Sequence, residues 1–198
     1  MIVKKLDKKF YLGSALDSTT NFLGKVLVHT TPEGRVSGVV YEVEAYPAFY
    51  DKVHHGNKKT PRTEVMWEGG GCAYVYLIYG VWNQFAVVVN KENIPDVVFI
   101  RAVIPLEGIE VMKGQWGKEV ETSKLASSPG KLCKSFLITK KQYGVDLTGN
   151  ELFFEDWGIR VPNDIKTAKR VGISSIHEGH DLPLRYLVNP SLMTSSPL

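Results

Sequence analysis

The chain has 198 residues, 43% hydrophobic and 23% charged, with a formal net charge of +3. That length supports one domain with a real core, expected to span residues 1–198, and leaves little room for two; the composition excludes disorder. No apolar run approaches a membrane span, the start lacks a secretory apolar stretch, and the mild charge permits a nucleic-acid partner without arguing for one.

The protein is therefore expected to stay where it is made, with no membrane partner. Taken in chain order, Asp17-Ser18 offers an N-cap for a short helix through Phe22-Leu23. Gly24 can end it before a strand over Lys25–His29. Thr31-Pro32-Glu33-Gly34 is a hairpin-type turn into a second strand, Gly38–Tyr46. Pro47 to Arg62 shows no periodicity and reads as a loop, where site residues often sit. Tyr74 to Val89 reads as a β-hairpin with Tyr79-Gly80 near its tip, preceded by three glycines, Gly69-Gly70-Gly71. Val97–Ala102 is apolar enough for a central strand, and Pro105 to Met112 suits a helix. After a polar connector, Ser128-Pro129 is a good helix start, with Leu132, Cys133 and Phe136 on one face. Glu151–Glu155 and Leu184–Val188 complete the strands. Strand-to-strand links are mostly too short for helical crossovers, so the fold is expected to be mixed α/β (α+β). It is a curved, largely antiparallel sheet flanked by helices, with a protruding hairpin. Cys72 and Cys133 lack CxxC spacing and fit reduced buried thiols.

The strand Gly38–Tyr46 carries the first chemical signal. Side chains alternate with period two, which places Val40, Glu42, Glu44 and Tyr46 on one face and Val39, Tyr41, Val43 and Ala45 on the other. The second face should pack on the core. The first is an odd surface unless something binds there, although two solvated acids on a half-wet strand are the ordinary case. Tyr74 and Tyr76 share a face by the same parity, and either can stack on a base or pack in the core. A large ring at a hairpin tip, Tyr79, either folds back onto the sheet or inserts between base steps.

Adjacent His54 and His55 point apart on an extended segment, and no third ligand has sensible spacing, so no metal is expected. Lys58, Lys59 and Arg62 make one basic region, and Lys131, Lys134, Lys140 and Lys141 a second. Such residues are solvated surface or, beside an aromatic hairpin, phosphate contacts. Arg101 lies on an otherwise apolar strand and needs an acid partner if buried, for which Glu44 is the candidate.

Several motifs occur in one order: Val43-Glu44-Ala45-Tyr46, His55, Thr60-Pro61-Arg62, Tyr74-Val75-Tyr76-Leu77-Ile78-Tyr79-Gly80, Ile100-Arg101-Ala102, Pro105-Leu106-Glu107-Gly108, Gly130-Lys131-Leu132-Cys133 and Arg170-Val171-Gly172. Together, from about Leu16 to Val188, they resemble the alkyladenine (3-methyladenine) DNA glycosylase family. The resemblance implies a monomeric, cofactor-free enzyme acting on double-stranded DNA that contains damaged purines, in the cytoplasm at the nucleoid of a prokaryote or in the nucleus of a eukaryote. It implies that Glu44 activates the attacking water, with Arg101 and the Val171 carbonyl helping to hold it. It implies that Tyr46 and His55 stack on one face of the flipped base and Tyr76 on the other. Tyr79 would intercalate, and Arg62 and Lys131 would contact phosphates.

One departure concerns Ala86, where the family carries an Asn that crowds the exocyclic amine of guanine. Relaxed discrimination against guanine follows unless Asn83 or Gln84 substitutes. The implied reaction is base release by hydrolysis: oxocarbenium character develops on the sugar, and one carboxylate stabilises it and takes the water's proton. No residue is placed to form a Schiff base, so no strand-cleaving lyase activity is expected. Two rivals are a carbohydrate hydrolase using Glu42 and Glu44 as its acid pair and a non-enzymatic DNA-binding module. The first would be indifferent to salt, and the second would tolerate loss of Glu44.

Overall fold

Long Val- and aromatic-rich segments separated by tight turns make strands the main elements of this chain. The computed structural model describes residues 3–49, 51–117 and 119–194. Its strands are β1 (Lys4–Lys5), β2 (Val26–Thr31), β3 (Gly34–Tyr46), β4 (Ala73–Ile78), β5 (Trp82–Val88), β6 (Val97–Glu107), β7 (Leu152–Asp156), β8 (Lys166–Ala168) and β9 (Arg185–Leu187). All join one sheet, in the order β1-β7-β2-β3-β6-β5-β4, and the named pairings are antiparallel. β3 is the spine. One edge of its first half pairs with β2, the same edge near its end pairs with β9, and its other edge pairs with β6. Helices are few and short: α1 (Ala15–Ser18), α2 (Ile109–Gly114) and α3 (Pro129–Ser135). None of the described helices is long and apolar enough to cross a membrane.

The β3–β6 ladder carries two consecutive irregularities that set up everything around them. Val40 faces Val103 and Glu42 faces Ala102, so Tyr41 is the extra residue on β3; Val43 then faces Ile100, so Arg101 is extra on β6. Each bulge bends its strand and re-aims side chains. The expected parity therefore fails at one point. Val40 leaves the face of Glu42 and joins Val43 in the main core, and Val39 packs in a separate cluster with Val26, Val28 and Phe153. Beyond the bulge, Glu42, Glu44 and Tyr46 do share a face, but Glu42 and Glu44 are buried there and the half-wet strand is excluded.

The main core lies on the opposite face, where Val40, Val43, Phe85, Ile100 and Phe154 meet Leu132, Cys133 and Phe136 of α3 and its C-terminal end. Burying each such aliphatic or aromatic side chain contributes roughly 1.5–3 kcal/mol. Cys133 sits in this core, its thiol pKa pushed up by burial, whereas Cys72 is half-buried; both are free thiols.

Two local expectations shift. The first helix begins a turn early, because Ser14 rather than Asp17 or Ser18 is its N-cap: the Asp17 N–H donates to Ser14 Oγ at 3.2 Å. Pro105 to Glu107 continues strand β6 instead of opening a helix, because β3 still offers it Ser37 and Gly38 as partners. Glu107 is further held by Arg35 at 2.9 Å and the Ser37 hydroxyl at 2.6 Å, and α2 starts only after Gly108 turns the chain with φ 72°.

Candidate active site

Glu44 is fully buried, at 0% exposure, behind the wall of a cavity of about 740 Å³. Three residues of that wall hold it. The Val171 N–H donates to Oε1 at 2.9 Å, Arg101 Nη1 lies 3.1 Å from the same oxygen, and the Tyr46 hydroxyl donates to Oε2 at 3.0 Å. A buried carboxylate without such donors is costly to ionise. Burial pushes the Glu44 pKa up, and Arg101, the Val171 N–H and Tyr46 pull it back; the net shift is upward. A carboxylate has about four acceptor sites, so Oε1 is saturated and Oε2 keeps one free.

Arg101 has a second partner that sequence reasoning did not assign. Its Nε donates to Glu42 Oε1 at 2.8 Å, and Arg185 Nε donates to the same oxygen at 2.7 Å. The bulge at Arg101 aims the guanidinium between the two acids. Glu42 is thereby committed to two arginines, which removes it as the second acid of a carbohydrate hydrolase.

The cavity wall is aromatic. Tyr74 and Tyr76, two apart on β4, stack with ring centroids 4.9 Å apart, and Tyr74 is buried. His55 meets Tyr76 edge-on at 5.1 Å and Tyr74 at 6.3 Å. His55 therefore stands with Tyr76, not beside Tyr46 as expected, and the two are too close to admit a base between them. Desolvation among the rings, then the nearby charge of Arg62, pushes its pKa down to about 4. His54, not His55, is the histidine near Tyr46: its ring lies 6.2 Å from the Tyr46 ring on the cavity wall, with Nε2 2.5 Å from the Pro95 carbonyl. Ala86 and Gln84 of β5 complete this wall, Ala86 opposite Tyr74 and Gln84 opposite Tyr76 in register.

Behind Tyr46 lies a buried ion pair that the sequence did not announce. Arg170 Nη1 and Nη2 both donate to the Asp51 carboxylate, the second at 3.0 Å, and the guanidinium sits 4.6 Å from the Tyr46 ring centre. Arg170 also donates to the carbonyls of Ala45 and Gly179 at 3.2 and 3.3 Å. It thus ties the Tyr46 strand, the 47–57 loop and the 171–184 segment together, one residue from Val171. The only signal was its place in the Arg170-Val171-Gly172 motif.

The hairpin tip projects from the cavity mouth. Ile78 accepts from the Val81 N–H at 3.2 Å across Tyr79 and Gly80, with φ 51° and 69°, the two left-handed positions of a tight hairpin turn. A tyrosine there costs about 1–2 kcal/mol of backbone strain. Its side chain is 89% exposed, so it does not fold back onto the sheet. Arg62 is exposed and lies 5.2 Å from the Tyr76 ring centre, at the mouth. Lys131 lies two residues beyond Pro129, the α3 residue on the cavity wall, and is not itself on that wall. A larger groove of about 860 Å³ opens on the other side of the hairpin, between Trp82 and Glu151, but offers no buried carboxylate among aromatic rings.

Comparison with known proteins fits this arrangement. A family model described as methylpurine-DNA glycosylase matches residues 9–191. Three bacterial relatives bear the name "Putative 3-methyladenine DNA glycosylase". The chain is 40% identical to one from Clostridium acetobutylicum, covering 93% of this chain and 94% of that one. It is 35% identical to one from Clostridium novyi and 39% identical to one from Desulfitobacterium hafniense, each covering 98% of this chain and 99% of the relative.

Proposed function

The chain belongs to the methylpurine-DNA glycosylase family and hydrolyses N-glycosyl bonds in DNA; from that premise we propose which bases it takes and how the bond is broken. Alkylated or deaminated purines (the 3-methyladenine, 7-methylguanine, hypoxanthine and ethenoadenine class) leave the duplex and enter the aromatic cavity. Tyr46 covers one face of the base, and Tyr76 with His55 at its edge covers the other. Tyr79 fills the gap left in the stack, and Arg62 and Lys131 meet phosphates on either side. Ala86 lines the pocket as a small wall. The enzyme works as a monomer, without a cofactor, at the chromosome.

The single observation behind this reading is Glu44, buried behind the wall yet held by three residues of it, with one acceptor site of Oε2 unspent. A water lodged among Tyr46, Arg101 and Val171 gives its proton to Oε2 while its oxygen bonds to C1′ of the deoxyribose. The Val171 carbonyl helps to hold that water. The C1′–N bond breaks, and its electron pair leaves with the base. The carboxylate and the developing oxocarbenium carry opposite charges, so the transition state is stabilised more than the ground state. A base alkylated on a ring nitrogen is already cationic and departs without a strong acid. No lysine takes part, so the product is an abasic site in an uncut strand.

The test is base release from duplexes carrying alkylated, deaminated and etheno lesions, with the strand assayed for cleavage. Release with intact strands is expected; failure to release a base from any lesion contradicts the proposal.

A further inference from the structure

Gln84 reaches the same cavity as Ala86 and Tyr76, and the residue is buried, at 7% exposure. Burying an amide without partners costs roughly 1–3 kcal/mol. Gln84 uses one partner: its Nε2 donates to the main-chain carbonyl of Asn83 at 2.9 Å. That contact fixes which end is which, since only the NH₂ end can meet a carbonyl. Among the described residues, no group donates to the opposite end, Oε1, and that atom is not sealed from the cavity. Asn83 lines the groove on the far side of the hairpin, as strand parity requires, and so cannot serve this pocket.

We propose that Gln84 determines specificity: its Oε1 accepts a hydrogen bond from an exocyclic amino group of the purine in the cavity. This rests on reading that cavity as the base pocket. The favoured ligands are amino-bearing purines, adenine- and guanine-type, over purines that lack the group. Ala86, two residues on along the same face of β5, leaves room beside the acceptor for that amino group. A glutamine amide is one of the standard partners of a base edge. A site built to hydrogen-bond a substrate group rejects an analogue lacking it far more strongly than an apolar pocket rejects one carrying it, because the buried acceptor stays unpaired.

The experiment uses three cationic bases in duplex DNA that leave by the same chemistry: 7-methyladenine, 7-methylguanine and 7-methylhypoxanthine. Only the first two carry an amino group, at different ring positions. Single-turnover release rates of the two amino purines are divided by that of 7-methylhypoxanthine, so the active fraction of each preparation cancels. Gln84→Met, of similar length without the acceptor, should lower at least one ratio by about ten- to hundred-fold. The ratio that falls identifies which amino group is read. Asn83→Ala, on the opposite face, should leave both ratios unchanged. Unchanged ratios in Gln84→Met, beside a wild type that releases all three bases, overturn the proposal alone, as does an equal fall in Asn83→Ala. A wild type that releases none of the three overturns the pocket reading, and the proposal with it.

Discussion

Two aromatic clusters lie on opposite faces of the same sheet, and they are built differently. In the core, Phe22 meets Phe154 edge-on at 5.3 Å, Phe10 meets Phe22 at 5.0 Å, and Phe85 stacks on Phe154 at 6.3 Å. These rings see mostly hydrocarbon. In the cavity every ring but Phe99 carries a hydroxyl or ring nitrogen, and two guanidiniums lie against tyrosines: Arg170 against Tyr46 and Arg62 against Tyr76. Strand β5 serves both, sending Phe85 to the core and Gln84 and Ala86 to the cavity. Period-two alternation lets one strand do this. The lesson is a division of labour: the closed cluster supplies stability by packing, whereas the open one keeps flat faces exposed and holds them in place with buried charge pairs.

The largest expected effect lies in the closed cluster. Phe154→Ala should lower unfolding free energy by about 3–5 kcal/mol, read by chemical denaturation, with base release per folded molecule unchanged. If activity falls and stability does not, the division is wrong. Tyr79→Ala should do the reverse. It should weaken lesion-duplex binding by about 1–3 kcal/mol, as lost base–aromatic stacking does, and leave the melting temperature within a degree or two. A collapse in melting temperature would make Tyr79 part of the packing. Of similar size, Ala86→Asn should lower release of 7-methylguanine relative to hypoxanthine by roughly ten- to two-hundred-fold, the usual reach of a steric change in a pocket. An unchanged single-turnover ratio would mean that Ala86 does not meet the base.

The gentlest probe is pH. The role proposed for Glu44 requires its ionised form, and its pKa is raised above 4.5 by burial, so release should fall as pH drops through that raised value. His55, pushed down to about 4, is neutral throughout this range and should add no limb near 6.5. The acid limb of the single-turnover profile should therefore be unmoved in His55→Phe. A limb that disappears in that variant would transfer the titration to the histidine.

Much of this was legible in the sequence because it is local. The Tyr74–Val89 hairpin, the place of Tyr79-Gly80 near its tip and the shared face of Glu42, Glu44 and Tyr46 follow from alternation and turn residues, whereas the exposure of Tyr79 stayed open until the structure. The Ser128-Pro129 helix start follows from its cap and proline. What was not legible depends on partners far along the chain. The bulges at Tyr41 and Arg101 exist only in the pairing of two strands, so parity counted along one strand misplaced Val39 and Val40. The double hold on Glu42 needs Arg185, and the Tyr46 support needs Asp51 and Arg170, residues separated by 119 to 143 positions. His55 could be placed in the site region from the sequence. Which ring it touches depends on a loop with no periodicity to read.

The central claim is that the charge on Glu44 performs the chemistry while the rings do the holding. Its most direct test is Glu44→Gln, assayed for lesion-duplex binding and for base release on the same preparation. The amide keeps the size of the side chain but cannot accept the water's proton. Binding should stay within a few-fold of wild type while the single-turnover rate drops by about 10²–10⁴, the usual worth of a positioned general base. Comparable release by the variant would contradict the account and move the general base to another residue.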